Sequence, residues 1–123
     1  MTIIEAINKI DALKPNNYSQ SDKIGWLSTL DGIIKKEIID THEGADTVIF
    51  NGYDAATALD TVLIAPAPYD DVYIRWLEAQ IDYANGEYGK YNNSMALYNT
   101  AFSAYERYYN RTNMPIGRKF KFF

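Results

Sequence analysis

Apolar residues recur every three or four positions over three parts of the chain, and that period predicts helices. Ile3, Ile7, Ile10 and Leu13 set the first, near residues 3–13. Thr2-Ile3-Ile4-Glu5 reads as a capping box at its start, and Pro15 closes it. After Pro15-Asn16-Asn17-Tyr18, Ser19 or Ser21 caps a second helix with Ile24, Leu27, Leu30, Ile34 and Ile38 on one stripe. Trp26 and Ile33 widen the stripe, so this helix faces more than one neighbour before ending near Asp40 to Glu43.

From Ile74 the steps of three and four run unbroken to Tyr109, through Leu77, Ile81, Tyr88, Met95, Tyr98 and Tyr105. Taken literally this is a heptad seam on one helix of roughly 60 Å, too long for a compact domain of this size. Asn85-Gly86 carries a helix C-terminal signature, and Gly89 and Asn92-Asn93 weaken the helix further along. The pattern therefore predicts two antiparallel helices, about 70–84 and 87–111, with a single projecting helix as the alternative. Asp70-Asp71 in the first turn and Arg107 and Arg111 in the last suit the helix dipole.

Between these helical regions, residues 43–68 change character. Gly44, Asn51-Gly52 and Pro66-Ala67-Pro68 punctuate two β-branched runs, Thr47-Val48-Ile49-Phe50 and Thr61-Val62-Leu63-Ile64. They predict two short strands that pair with each other or with another chain. A connection this long in a compact domain is usually functional, and a lone hairpin needs help from neighbours. Val48, Ile49, Phe50, Tyr53, Val62, Leu63 and Ile64 are accordingly the first candidate contact residues. At the other end, Met114-Pro115-Ile116-Gly117 ends the helical region. Arg118, Lys119, Phe120, Lys121, Phe122 and Phe123 then alternate as a strand-like arm, the second candidate contact, which either folds back onto the body or docks elsewhere, docking elsewhere being the favoured expectation. The expected fold is mainly α: a small bundle of an N-terminal helix pair and an antiparallel hairpin, with a two-strand loop over 43–68 and an arm over 112–123. All 123 residues form one domain.

Composition narrows the function. With 47% hydrophobic and 23% charged residues, the chain buries a core without staples. It has no cysteine and one histidine, His42, which removes disulfides, thiolate catalysis and cysteine-based or multi-histidine metal sites. No apolar run approaches the roughly 20 residues of a membrane span, and Met1-Thr2-Ile3-Ile4-Glu5 does not read as a secretory signal. A soluble protein of a reducing compartment is expected.

The net charge of −4 hides an acidic body, −9 over residues 1–106, and a basic end, +5 over 107–123. Five positive charges beside such a body are a weak footprint for nucleic acid, and the tail suits an acidic protein surface better. Eleven tyrosines, nine of them between Tyr69 and Tyr109, point to half-buried positions with wet edges, shared between hairpin core and interface.

Reaction chemistry is sparse. Asp40-Thr41-His42-Glu43 is the densest polar cluster, but it falls at a helix end where such residues are ordinary. Glu78 and Asp82 share a helix face as a possible carboxylate pair, with Arg75 as the usual solvated partner. No phosphate loop, nucleophile elbow or zincin motif is present. No catalytic residue, metal or cofactor is expected, and the chain reads as a non-enzyme.

Four stretches, with their spacing, carry a resemblance: Asp22-Lys23-Ile24-Gly25-Trp26-Leu27-Ser28-Thr29-Leu30-Asp31-Gly32, Ala65-Pro66-Ala67-Pro68-Tyr69-Asp70-Asp71, Leu77-Glu78-Ala79-Gln80-Ile81-Asp82 and Tyr91-Asn92-Asn93-Ser94-Met95-Ala96-Leu97-Tyr98-Asn99. Over most of its length the chain resembles the small helical head–tail connector, or adaptor, proteins of tailed bacteriophages and prophages. The resemblance implies a ring of copies between the portal protein and the next neck or tail component. It implies no cofactor, no specific nucleic-acid or membrane partner, and residence at the virion head–tail junction after assembly in the host cytoplasm. The 43–68 loop and the arm would then make subunit or portal contacts. The loop is long for this family and the tyrosine-rich hairpin is not its hallmark, so a tail-completion role or a soluble helical interaction module stands beside it.

Overall fold

The computed structural model describes residues 1–116. It has four α-helices: α1 (Ile3–Leu13), α2 (Gln20–Glu37), α3 (Asp71–Ala84) and α4 (Tyr88–Thr112). Both N-terminal helices begin with reciprocal capping boxes, Thr2 with Glu5 and Ser19 with Asp22. Each box satisfies two backbone donors that a helix start would otherwise leave bare. The first helix spans the expected residues, and the second ends at Glu37 before a 3₁₀ turn over Ile39–Thr41.

The long aromatic stripe is broken by backbone chemistry at Asn85-Gly86-Glu87. Gly86 sits at φ 75°, its amide bonds Tyr83 carbonyl at 3.0 Å, and the Glu87 amide bonds Asp82 carbonyl at 2.9 Å. This pair of bonds is the Schellman arrangement, which caps the last carbonyls and turns the chain away from the axis. α4 then runs back along α3, and the two form an antiparallel hairpin. The bundle core is shared by Ile3, Ile7 and Ile10 of α1, Ile24, Leu27, Leu30 and Ile34 of α2, and Val72, Tyr73, Leu77 and Ile81 of α3. α4 contributes only Tyr98 and Tyr105 as buried hydrophobic residues, so most of its surface faces outward.

The two β-branched runs do not form the expected strands among the described residues. The first begins in a 3₁₀ turn, Ala45–Thr47, and its Val48 amide closes that turn on Ala45 carbonyl. The second lies along the N-terminus instead of along the first. Thr2 and Val62 form an isolated antiparallel bridge, and the amides of Ile3 and Ile4 bond the carbonyls of Thr61 and Leu59, each at 3.0 Å. The start of α1 has donors with no partner inside the helix, and the loop's carbonyls take them. That is why this segment pairs there. A second isolated bridge joins His42 to Pro115, so the end of the described chain lies against the turn after α2. Residues 117–123, the core of the expected arm, lie outside the described residues.

Candidate interaction surface

Asp31 organises the loop. It lies in the middle of α2, fully buried, and three donors from other parts of the fold converge on it. Tyr73 of α3 donates to Oδ1 at 2.6 Å. Tyr53 donates to Oδ2 at 2.6 Å, and the Ile64 amide reaches the same oxygen at 3.2 Å. The Tyr73 hydroxyl in turn accepts the Ala65 amide at 2.7 Å. One carboxylate thus ties both halves of the excursion to two helices. Burial pushes the Asp31 carboxyl above its usual range, against the opposing pull of the hydrogen bonds from Tyr53, Tyr73 and Ile64. The same burial, with Asp31 beside them, pushes the hydroxyls of Tyr53 and Tyr73 upward, so both remain donors.

With the loop fixed, its alternation has a consequence. Leu63 and Ala65 turn into the core, while Val62 and Ile64 turn out. They meet Val48 and Ile49 across an open groove of about 380 Å³ whose remaining lining includes Ile39, Pro66, Tyr105, Tyr108 and Tyr109, with Thr112 and Asn113. Tyr69 stacks on Tyr108 with ring centroids 4.6 Å apart, which holds the aromatic side of the groove in place. Ile49 is 80% exposed and Val62 70% exposed, and both stand on the walls of the same groove, so the exposed apolar surface is contiguous there. The only ionisable groups in the described lining are tyrosines, and burial raises the hydroxyls of Tyr105 and Tyr109. The lining therefore offers apolar contact and hydroxyl groups, with Tyr105 and Tyr109 held as hydrogen-bond donors.

Four of the seven loop candidates, Val48, Ile49, Val62 and Ile64, line this one groove. The other three lie away from the groove, and for Leu63 burial overturns the expected contact. Leu63 is 2% exposed and belongs to the core. Tyr53 is an anchor, bonded to Asp31 and, through its amide, to Ser28 Oγ at 2.9 Å. Phe50 packs edge-on against Tyr53 at 5.0 Å, beside Gly32 of α2. Arg118, Lys119, Phe120, Lys121, Phe122 and Phe123 lie outside the described residues.

The polar clusters resolve into structural roles. His42 is buried: Nδ1 donates to Ile38 carbonyl at 2.6 Å, Nε2 stands 2.7 Å from the Asn110 side-chain amide, and the ring meets Tyr109 edge-on. Asp40 pairs instead with Lys35, so the Asp-Thr-His-Glu run does not converge. Asp82 is buried between Lys14 and Ser94, whose hydroxyl donates at 2.6 Å, while Glu78 faces Arg75. Glu78 and Asp82 therefore do not work as a pair. No group of three or more metal-ligating side chains is assembled among the described residues. Asp31 and the Tyr105–Tyr109 floor went unrecognised as a unit in the sequence. A lone aspartate on an apolar helix face, where a charge must find partners, was the available signal for the first.

Comparison with known proteins returns no match, whether to a family model, a curated protein or a solved structure. Among the described residues no helix is long and apolar enough to cross a membrane.

Proposed function

We propose that this protein is a non-enzymatic structural component of a tailed-phage or prophage virion, acting as a head–tail connector that assembles as a ring below the portal. The observation that carries the reading is the convergence of both apolar loop runs on one open groove, at the place where the chain passes into its basic, phenylalanine-rich end. A lining of exposed aliphatic side chains over a tyrosine floor suits protein contact, where aromatic anchors contribute most of the binding energy. The acidic charge of the body suits a channel wall that DNA must slide past without being gripped. In this reading the partners are other copies of the chain, the portal protein and the next neck or tail component, with no cofactor. The protein then resides at the head–tail junction after assembly in the host cytoplasm. A tail-completion role uses the same surface.

The experiment is co-sedimentation with portal-bearing, DNA-filled capsids of the same phage, using the intact chain and a chain lacking residues 115–123. Binding at the portal vertex that depends on the arm supports the connector role, and failure of the intact chain to bind overturns it. A second reading, a soluble helical module that grips one partner, draws on Tyr83, Tyr88 and Tyr91, which cluster at the hairpin tip with Tyr83 and Tyr88 exposed. It predicts a partner whose binding is lost on Tyr83→Ser with Tyr88→Ser and is indifferent to the groove.

A further inference from the structure

We infer that the groove is the seat of the chain's own C-terminal segment, residues 117–123, so that a free protomer covers its apolar contact surface with its own tail. Three observations carry this beyond the connector reading, on which it does not depend. The first is direction. The Glu43 amide bonds Met114 carbonyl at 2.8 Å, His42 bridges Pro115, and the Ile116 amide bonds Thr41 carbonyl at 2.9 Å. Each residue toward the C-terminus thus pairs one residue further back, and the next steps lead toward Ile39, a wall of the groove.

The second is length and pattern. Seven extended residues reach roughly 23 Å, ample for a site bounded by Asn113 and Ile39. In an extended segment Phe120 and Phe122 share one face and Lys119 and Lys121 the other. A cavity of roughly 150 Å³ accepts a benzene ring, so the groove's volume of about 380 Å³ accommodates two phenyl rings. The third is charge. Residues 117–123 hold three basic side chains and no acid, whereas residues 1–116 hold all 16 acids. Two of these, Glu43 and Asp46, are exposed on the turn that leads into Val48 and Ile49. Lysines on the outer face of a seated tail would lie beside that turn.

The absence of cysteine makes the test clean. Full-length Ile49→Cys with Phe122→Cys is compared with Arg111→Cys with Phe122→Cys during mild oxidation of dilute protein. Ile49 and Arg111 are both exposed, so neither substitution touches the core, and Arg111 lies next to the groove residue Thr112 without lining it. A seated tail raises the local concentration at Ile49, so an intramolecular disulfide should form there at least about tenfold faster than at Arg111. Equal rates at the two positions would overturn the inference by showing a tail that visits both. Disulfide-linked dimers as the main product of the Ile49 pair would also overturn it, by assigning the groove to a second copy's tail. Capsids play no part in this measurement, so its failure and that of the connector role are separately visible.

Discussion

Tyr73 of α3 donates its hydroxyl hydrogen to Asp31 of α2 at 2.6 Å while accepting the Ala65 amide at 2.7 Å. A single buried hydroxyl therefore couples two helices to the loop that forms one wall of the groove. Each of its bonds is shielded from water, where leaving a donor or acceptor unpaired is costly.

Tyr73→Phe keeps the ring and its packing but strands the Ala65 amide and removes a donor from Asp31. The expected loss is about 2–4 kcal/mol of unfolding free energy, measured as a lower urea midpoint at unchanged slope. Tyr53→Phe, at a half-buried ring, should cost less, about 1–2 kcal/mol. Amide exchange at Ile64 and Ala65 should accelerate in both variants before exchange in α1 does. A Tyr73→Phe protein with wild-type stability would refute the anchoring role.

Asp31 also sets a pH dependence whose sign runs against ordinary acid unfolding. Its folded carboxyl is raised above the usual value by burial, so folding favours the protonated form. The contribution is complete below the unfolded carboxyl value and is lost as pH rises through the raised folded one. The stability margin of the wild type over Asp31→Asn should therefore shrink as pH rises above the unfolded carboxyl value of about 4, other carboxylates cancelling in the difference. A margin that widens with pH would reverse the assignment.

Lys14 reaches Asp82 from the end of α1, and Ser94 donates to the same carboxylate from α4. Lys14→Met leaves a fully buried charge with one neutral donor, a loss of about 1–3 kcal/mol given that Lys14 itself is partly exposed. Combining it with Asp82→Asn should recover part of that loss in a double-mutant cycle. Additive losses would show that the two side chains do not interact.

Gly86 stands at φ 75° with open space where a Cβ would go. Gly86→Ala should thus cost only the left-handed backbone penalty, about 1 kcal/mol, and Gly86→Asn less. Thermal unfolding of the two variants reads this directly. If Gly86→Ala were neutral, the turn would not depend on the left-handed conformation.

Ile49→Glu with Val62→Glu places charge on two exposed walls of the groove. Stability should stay within about 0.5 kcal/mol of wild type, as for most surface changes. Capsid co-sedimentation should fall at least about tenfold, since a buried charge in an apolar contact is poorly tolerated. Retained binding would move the contact away from this face.

The helices were legible because their causes are local. Capping boxes at Thr2 and Ser19, the three-and-four spacing of isoleucine and leucine, and the glycine after Asn85 each act within one turn of the chain. The sequence also marked Val48, Ile49, Phe50, Tyr53, Val62, Leu63 and Ile64 as candidate contacts, and four of these seven line the groove. It misjudged the pairing of their runs, because a β-branched segment bonds to whichever unpaired backbone lies nearest, and here that was the open N-terminus of α1.

Periodicity and capping by themselves determined the helix pair, the hairpin and the apolar character of the excursion, since helix bonds and side-chain faces repeat over a few residues. Only the tertiary structure decided which loop side chains turn inward. That choice belongs to Asp31, 22 residues from Tyr53, 33 from Ile64 and 42 from Tyr73. A buried carboxylate must collect its donors from wherever the packed chain brings them, and no local pattern names those donors in advance.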